Sequence, residues 1–133
     1  MVILFDRYHM PDDVLDLVFA TKQQKIVAAE LLKYMAENGG TIGKTEMSLF
    51  ATNLHDGNFE AYIDEPPYKG KKVRLSYNKR QFYDRILTPM KTMGIVDYDM
   101  YKKTYNLSYR FNNEMIRIGL MWKERLRRLG VKE

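Results

Sequence analysis

The sequence predicts an α+β fold that is mostly helical and forms a single domain over residues 1–133. Three observations predict it. Most of the chain carries apolar residues at the three- and four-residue spacing of amphipathic helices. Two short runs near the end alternate apolar and polar residues with the period of strands. A chain of this length is long enough to bury one hydrophobic core but not two.

The first twenty residues are expected to form an N-terminal extension of this domain. Residues 2–8 are predicted to be a short strand or an extended arm. A helix is expected to begin at Pro11, because proline suits the first helical position and Asp12 and Asp13 complement the helix dipole. Apolar residues cover most of its circumference, which is typical of a helix buried in the core or at a subunit interface.

Two helices are predicted next, at the start of a core that spans residues 21–111. Thr21 and Gln24 form a capping box for the first of them. The segment 38–40, Asn-Gly-Gly, ends that helix, and residues 41–43 leave room for only a minimal strand. A third helix is expected to begin at Thr45.

Residues 55–75 interrupt this pattern as an insert. They contain two glycines and two prolines without a sustained period, which predicts a loop with at most short strands. A local hairpin between FEAYI (59–63) and KKVRLSY (71–77) is one arrangement that the residues allow. The first half of the insert is acidic and the second half is basic.

The stretch 78–94 predicts the central helix of the domain. Asn78 and Gln81 give a box-like start, and Gly94 suits a left-handed C-cap. Pro89 lies well inside and is expected to kink or split the helix. The apolar face is predicted to contain Phe82, Ile86, Met90 and Met93.

A hairpin and a last helix complete the prediction. Two strand-like runs after Gly94 enclose a basic turn. A helix capped by Asn112 or Asn113 then runs to about Leu129. Residues 112–133 are expected to pack on their own domain or to form a dimer element. The apolar seam of this helix is Met115, Ile118, Trp122, Leu126 and Leu129.

Several classes of function are excluded or disfavoured by composition. Without cysteine, the chain has no disulfide, thiolate zinc site or cysteine nucleophile. The segment 38–45 resembles a phosphate-binding loop, but Asn38 replaces its first glycine and a helical pattern precedes it, so we expect no nucleotide. His55 with Asp56 and Glu60 has no specific metal spacing. We expect no metal, no cofactor, no catalysis and no membrane span, and a cytoplasmic location.

The distribution of charge favours a nucleic-acid partner. The net charge is +5, and residues 69–85 contain seven cations against one acid. Base-reading side chains are expected near the start of the central helix, and cations around it are expected to hold phosphates. Tyr83 is among the aromatic residues that can stack on bases. The predicted base readers are Asn78, Arg80, Gln81 and Thr88. The predicted phosphate contacts are Lys69, Lys71, Lys72, Arg74, Lys79, Arg85, Lys91, Lys102 and Lys103.

Residues 21–111 resemble the winged helix-turn-helix superfamily of DNA-binding domains, in the style of small archaeal or mobile-element regulators. The matching pieces are KQQKIVAAELLKYMAENGG, TIGKTEMSLFATNL, NKRQFYDRILTPMKTMGIV and the hairpin that follows. The insert 55–75 departs from the family, which usually has a tight turn there. The resemblance implies a dimeric transcriptional regulator that binds double-stranded DNA. The alternatives are a protein–protein adaptor and a replication or chromosome-associated DNA binder with little sequence specificity.

Overall fold

The computed structural model describes residues 6–63 and 68–133. It confirms an α+β fold in which helix (52%) outweighs strand (17%). The elements in order are α1 (Leu15–Val18), α2 (Lys22–Glu37), β1 (Thr41–Gly43), α3 (Lys44–His55), β2 (Phe59–Ile63), β3 (Lys71–Leu75), α4 (Lys79–Gln81), a π-helical segment (Phe82–Leu87), α5 (Thr88–Thr92), β4 (Val96–Asp99), β5 (Thr104–Leu107) and α6 (Arg110–Arg128).

The N-terminal predictions need correction. Residues 6–8 of the expected strand form a turn, and the rest of that strand lies outside the described residues. Helix α1 begins at Leu15 instead of Pro11, because the Asp13 carboxylate accepts a hydrogen bond from the Leu15 N–H (3.0 Å) and so starts the helix later. Leu15 and Phe19 are buried in the core of this same domain.

Helices α2 and α3 supply much of the core, and local sequence signals set their ends. The Thr21 hydroxyl accepts from the Gln24 N–H (3.1 Å), as the capping box predicts. At the other end of α2, the Gly40 N–H donates to Met35 O, and Gly39 has φ +77°. This is the glycine stop that the sequence predicts.

Phe50 of α3 lies at the centre of an aromatic cluster. Its ring centroid is 5.5 Å from that of Tyr34 on α2, 5.1 Å from that of Phe59 on β2 and 5.6 Å from that of Phe82. One side chain therefore joins α2, α3, β2 and the central helical segment. Aromatic pairs at such distances stabilise a core beyond the area that they bury.

Three strands form an antiparallel sheet in the order β1-β5-β4. Ile42 pairs with Tyr105, and Tyr98 pairs with Tyr105 from the other side. The short strand after α2 is therefore joined to the hairpin that follows the central helical segment, although more than 60 residues separate Gly43 from its partner Thr104. This pairing places the β4–β5 turn beside the beginning of α3.

The insert contains two short strands that form an ordered hairpin, so the hairpin that the residues allow is confirmed. Strands β2 and β3 pair from Phe59↔Leu75 to Ile63↔Lys71 and form a separate two-stranded sheet. Ile63 and Leu75 are buried in the core. The period of two explains the hairpin, since alternate residues reach the core and the residues between them face solvent.

The central helical segment is continuous over 79–92 and is called the composite helix below. The side-chain oxygen Oδ1 of Asn78 accepts from the Gln81 N–H (3.0 Å) and caps the helix. Instead of a break at Pro89, the helix widens into a π-helical segment immediately before it. The wider turn adds Leu87 to the buried face, while the predicted member Met93 is 38% exposed.

Gly94 ends the composite helix and joins it to α6. The Ile95 N–H donates to Met90 O and the Gly94 N–H to Lys91 O, and Gly94 has φ +84°, so the predicted left-handed cap is confirmed. A Cβ at this position would lie 2.9 Å from the Phe111 nitrogen, so backbone contact also requires glycine.

Helix α6 begins at Arg110, before the predicted caps Asn112 and Asn113, because the Ser108 hydroxyl accepts from the Arg110 N–H (3.1 Å). None of the residues of α6 is buried. Within 6–63 and 68–133, no helix has both the length and the apolar character needed to cross a membrane.

Candidate nucleic-acid interface

The composite helix presents a polar face to solvent. The opposite face holds it in place, because Phe82, Ile86, Leu87 and Met90 are almost completely buried. The exposed residues of the helix include the predicted contacts Arg80, Gln81, Arg85, Thr88 and Lys91. A cation-rich helix face backed by a rigid core can enter a groove as one body.

Arg80 is the most prominent residue of this face. Its side chain is 91% exposed, and its Nε lies 3.8 Å from the Asp84 carboxylate one turn later. An exposed ion pair of this length contributes little free energy. The guanidinium of Arg80 is therefore held loosely and remains free to bind a ligand with its donors.

Three predicted DNA contacts serve the helix itself. The ammonium group of Lys79 donates to Thr52 (2.9 Å) and Ser48 (3.3 Å) on α3. The side-chain oxygen Oδ1 of Asn78 accepts the capping hydrogen bond from the Gln81 N–H. The Tyr83 ring is half-buried and meets Phe82 edge-on at 5.5 Å. These side chains position the composite helix rather than project from it.

The β4–β5 turn forms a second exposed basic site. The Asp99 carboxylate accepts from the backbone N–H groups of Tyr101 (2.9 Å) and Lys102 (3.1 Å), which fixes the turn. Lys102 and Lys103 are exposed, and Tyr101 is 99% exposed. The turn therefore projects two lysines and one aromatic ring from an ordered backbone.

Lys44 is a further cation at this turn, and the sequence alone did not indicate that it lies there. Its backbone N–H donates to the carbonyl oxygen of Lys103 (2.9 Å), and its side chain is exposed. The two residues are far apart in the chain and meet because β1 pairs with β5. Only knowledge of that pairing could have revealed the cluster.

The β2–β3 hairpin also carries cations, but two of them are paired. Lys72 Nζ lies 3.1 Å from Glu60 Oε2, and an Arg74 guanidinium nitrogen lies 3.3 Å from Glu60 Oε1. Hydrogen bonds from Lys72 and Arg74 hold the pKa of Glu60 below its usual value. Lys69 and Lys71 are exposed near the hairpin turn. The positive charge of this hairpin is therefore partly neutralised.

The segments weighed for other chemistry have structural roles. In 38–45, a helix end precedes β1, and the Lys44 N–H is used by Lys103 O, so the backbone is not arranged around a phosphate. His55 Nδ1 accepts from the Lys79 N–H (3.1 Å), which ties α3 to the start of the composite helix. Among the described residues, no group of three His, Asp or Glu side chains is placed to hold a metal ion.

Comparison of the chain with protein-family models, curated proteins and solved structures found no match. The functional interpretation therefore depends on two features of the molecule. One is the exposed face of the composite helix, and the other is the basic β4–β5 turn.

Proposed function

We propose that this chain is a non-enzymatic double-stranded DNA-binding protein of the winged helix-turn-helix type, acting as a transcriptional regulator. The element order supports the proposal: α2, β1 and α3 are followed by the composite helix and then by a hairpin that pairs with β1. The composite helix takes the place of the recognition helix, and the β4–β5 hairpin takes the place of the wing. The β2–β3 hairpin is an addition between α3 and the composite helix.

The observation that carries the proposal is the projection of Arg80 and Gln81 from the first turn of a core-anchored helix. The major groove of DNA is wide enough to admit an α-helix. Arginine pairs with guanine there through two hydrogen bonds, and glutamine pairs with adenine in the same way. Both residues lie where the helix begins, which is the part of a recognition helix that contacts bases.

Phosphate contacts are assigned to the cations that flank these readers. Arg85 and Lys91 lie further along the exposed face of the composite helix, and Lys102 and Lys103 lie on the wing. Lys44 joins the wing lysines through its backbone contact. Such contacts fix the position of a protein on duplex DNA without reading sequence.

Fluorescence anisotropy with a labelled random-sequence duplex tests this assignment. Each phosphate contact steepens the dependence of log Kd on log salt concentration by about 0.9. The double variant Arg85→Gln/Lys91→Gln is expected to lower affinity at least about tenfold in low salt and to reduce the slope by about 1.8. The control is Lys33→Gln, with effects compared per cation removed, since Lys33 lies on α2 beside Glu30 and Glu37. Equal effects of the two changes, or none, would contradict the assignment.

Selection of bound duplexes from a random pool, followed by sequencing, tests the regulator role. Enrichment of one site supports a sequence-selective regulator. Binding without enrichment would point instead to a chromosome-associated protein with little specificity.

A protein–protein adaptor is the second candidate, and the wing tip gives it a specific basis. Tyr101 and Met100 are 99% and 77% exposed there. Exposed aromatic and methionine side chains are enriched in protein interfaces. Retention on heparin or duplex DNA in low salt separates the two functions, because an adaptor elutes early.

A further inference from the structure

We infer that two copies of this chain pair through α6 in antiparallel orientation, with a two-fold axis at Trp122. The inference deepens the proposed function, because it specifies how two DNA-binding surfaces are held together. The starting point is the seam of α6, where Met115 is 37%, Trp122 63% and Leu129 67% exposed. An exposed stripe of large apolar side chains along one face of a helix is typical of an interaction surface.

The spacing of the seam is the same in both directions from Trp122. Ile118 and Leu126 each lie four residues from it, and Met115 and Leu129 each lie seven residues from it. In a two-fold interface, residue i of one copy contacts residue j of the other, and j contacts i. An antiparallel pair centred on Trp122 satisfies this condition at every seam position. Ile118 then meets Leu126, Met115 meets Leu129, and the two Trp122 side chains meet each other.

Gly119 supplies room at the centre of this arrangement. It lies one turn before Trp122, and a Cβ at this position would have no neighbour within 4 Å. Glycine inside a helix costs about 1 kcal/mol relative to alanine. A small residue beside the seam allows the indole of a second copy to approach the helix backbone closely.

Charge favours the antiparallel orientation over the parallel one. The end of α6 carries Arg125, Arg127 and Arg128, which a parallel pair would align with the same residues of the second copy. An antiparallel pair separates the two basic ends and places each of them at the beginning of the other helix, which carries Glu114 together with Arg110 and Arg117. The dipoles of the two helices also oppose each other in this orientation.

The pairing also sets the separation of the two domains. Arg110 begins α6 twelve residues before Trp122, so the two Arg110 residues lie about 36 Å apart along the paired helices at 1.5 Å per residue. A dimer that reads a two-fold DNA site needs its two reading helices held a fixed distance apart. The beginning of α6 is fixed to its own domain by the Phe111 N–H to Gly94 O bond (3.0 Å) and by the Arg110 Nε contact with Asp97 (2.7 Å). The pair can therefore hold two composite helices at a defined separation.

Sedimentation of the full chain without DNA, in about 0.5 M salt to release bound nucleic acid, tests the pairing. The wild type is expected to be a dimer. Trp122→Glu is expected to raise the dimer dissociation constant at least about 30-fold. Leu120→Glu is the matched control, because Leu120 is also exposed (58%) but lies about 160° around the helix from Trp122. A monomeric wild type, or equal loss with both variants, would overturn the inference.

Cysteine cross-linking tests the antiparallel orientation of the two α6 helices. Because the chain has no native cysteine, only the introduced cysteines can form a disulfide. A mixture of Ile118→Cys and Leu126→Cys chains is expected to form a disulfide between the two variants, while each variant alone does not. Cross-linking of each variant with itself would indicate a parallel pair and overturn the inference, as would a dimer without any cross-link. Because neither experiment contains DNA, failure of the pairing is distinguishable from failure of the proposed DNA binding.

Discussion

The composite helix with its wing and the β2–β3 hairpin are both basic, but their cations are in different states. On the hairpin, Glu60 binds Lys72 and Arg74 together. On the composite helix, the contact of Arg80 with the Asp84 carboxylate is long (3.8 Å) and exposed. Phosphate must compete with Glu60 for the hairpin cations, whereas it meets little competition at the helix. The comparison teaches that the number of lysines and arginines does not decide how readily a basic surface binds phosphate. What decides it is whether those cations already form ion pairs with carboxylates of the same protein.

The two regions also differ in how they are joined to the rest of the domain. The composite helix, the wing and α6 meet at Gly94, where backbone atoms are in close contact. The hairpin follows α3 through Gly57, which also has positive φ (+72°) but has open space around it. A side chain added at Gly94 is therefore expected to destabilise the fold more than one added at Gly57.

The largest expected effect is on folding stability, through a substitution at Gly94. Gly94→Ala should lower the free energy of unfolding by about 3 kcal/mol, because it adds left-handed strain and an overlap with the Phe111 nitrogen. Gly57→Ala, the matched control, should cost only the conformational penalty of about 1 kcal/mol. Urea unfolding of both variants measures the difference. Equal destabilisation would show that the close contact at Gly94 has no energetic importance.

Base reading by the composite helix gives the next largest effect. Arg80→Ala should weaken binding to the selected site by about 2 kcal/mol, or roughly 30-fold, and should change binding to random duplex much less. Competition between the two duplexes in an anisotropy titration measures this ratio. A uniform loss on both duplexes would reassign Arg80 to the phosphate backbone.

The wing is expected to contribute a smaller, sequence-independent effect. Lys102→Gln should weaken binding to all duplexes several-fold and reduce the salt slope by about 0.9. The turn should persist, because the Asp99 carboxylate binds the backbone N–H of residue 102 and not its side chain. Titrations at four salt concentrations give the slope, and an unchanged slope removes Lys102 from the interface.

The smallest effect is expected on the hairpin. Lys72→Gln and Arg74→Gln should each change duplex affinity less than about twofold, because both cations are already paired with Glu60. Glu60→Gln is the reciprocal variant, and by releasing both cations it should increase affinity if the hairpin lies near DNA. A loss of tenfold or more with Lys72→Gln would place the hairpin inside the interface and break the comparison.

Local signals allowed the sequence to predict the helix ends well. The caps at Thr21 and Asn78 and the glycine stop at Gly94 depend on residues within one turn of each other, and all three were confirmed. The predicted start of α6 at Asn112 or Asn113 is wrong. The Ser108 hydroxyl accepts from the Arg110 N–H and starts the helix two to three residues earlier. The π-helical segment was missed, because helical spacing assumes a constant period, and its buried Leu87 breaks that period.

The sequence alone could not predict features that depend on contacts between segments far apart in the chain. Lys44 reaches the wing only through the β1–β5 pairing, and Lys79 turns towards Ser48 and Thr52 only because α3 packs beside it. The predicted charge of 69–85 was correct in number, but Glu60, which neutralises part of it, lies on the opposite strand. A run of cations in a sequence therefore indicates a basic surface only when the residues that face it on the neighbouring strand are known.

An NMR titration of the ¹⁵N-labelled chain with a short duplex tests the central claim most directly. The account predicts that amide shifts change most at residues 80–91, at 101–103 and at Lys44, while 59–63 and 71–75 change little. Changes concentrated in the β2–β3 hairpin, or no changes at any duplex concentration, would contradict it.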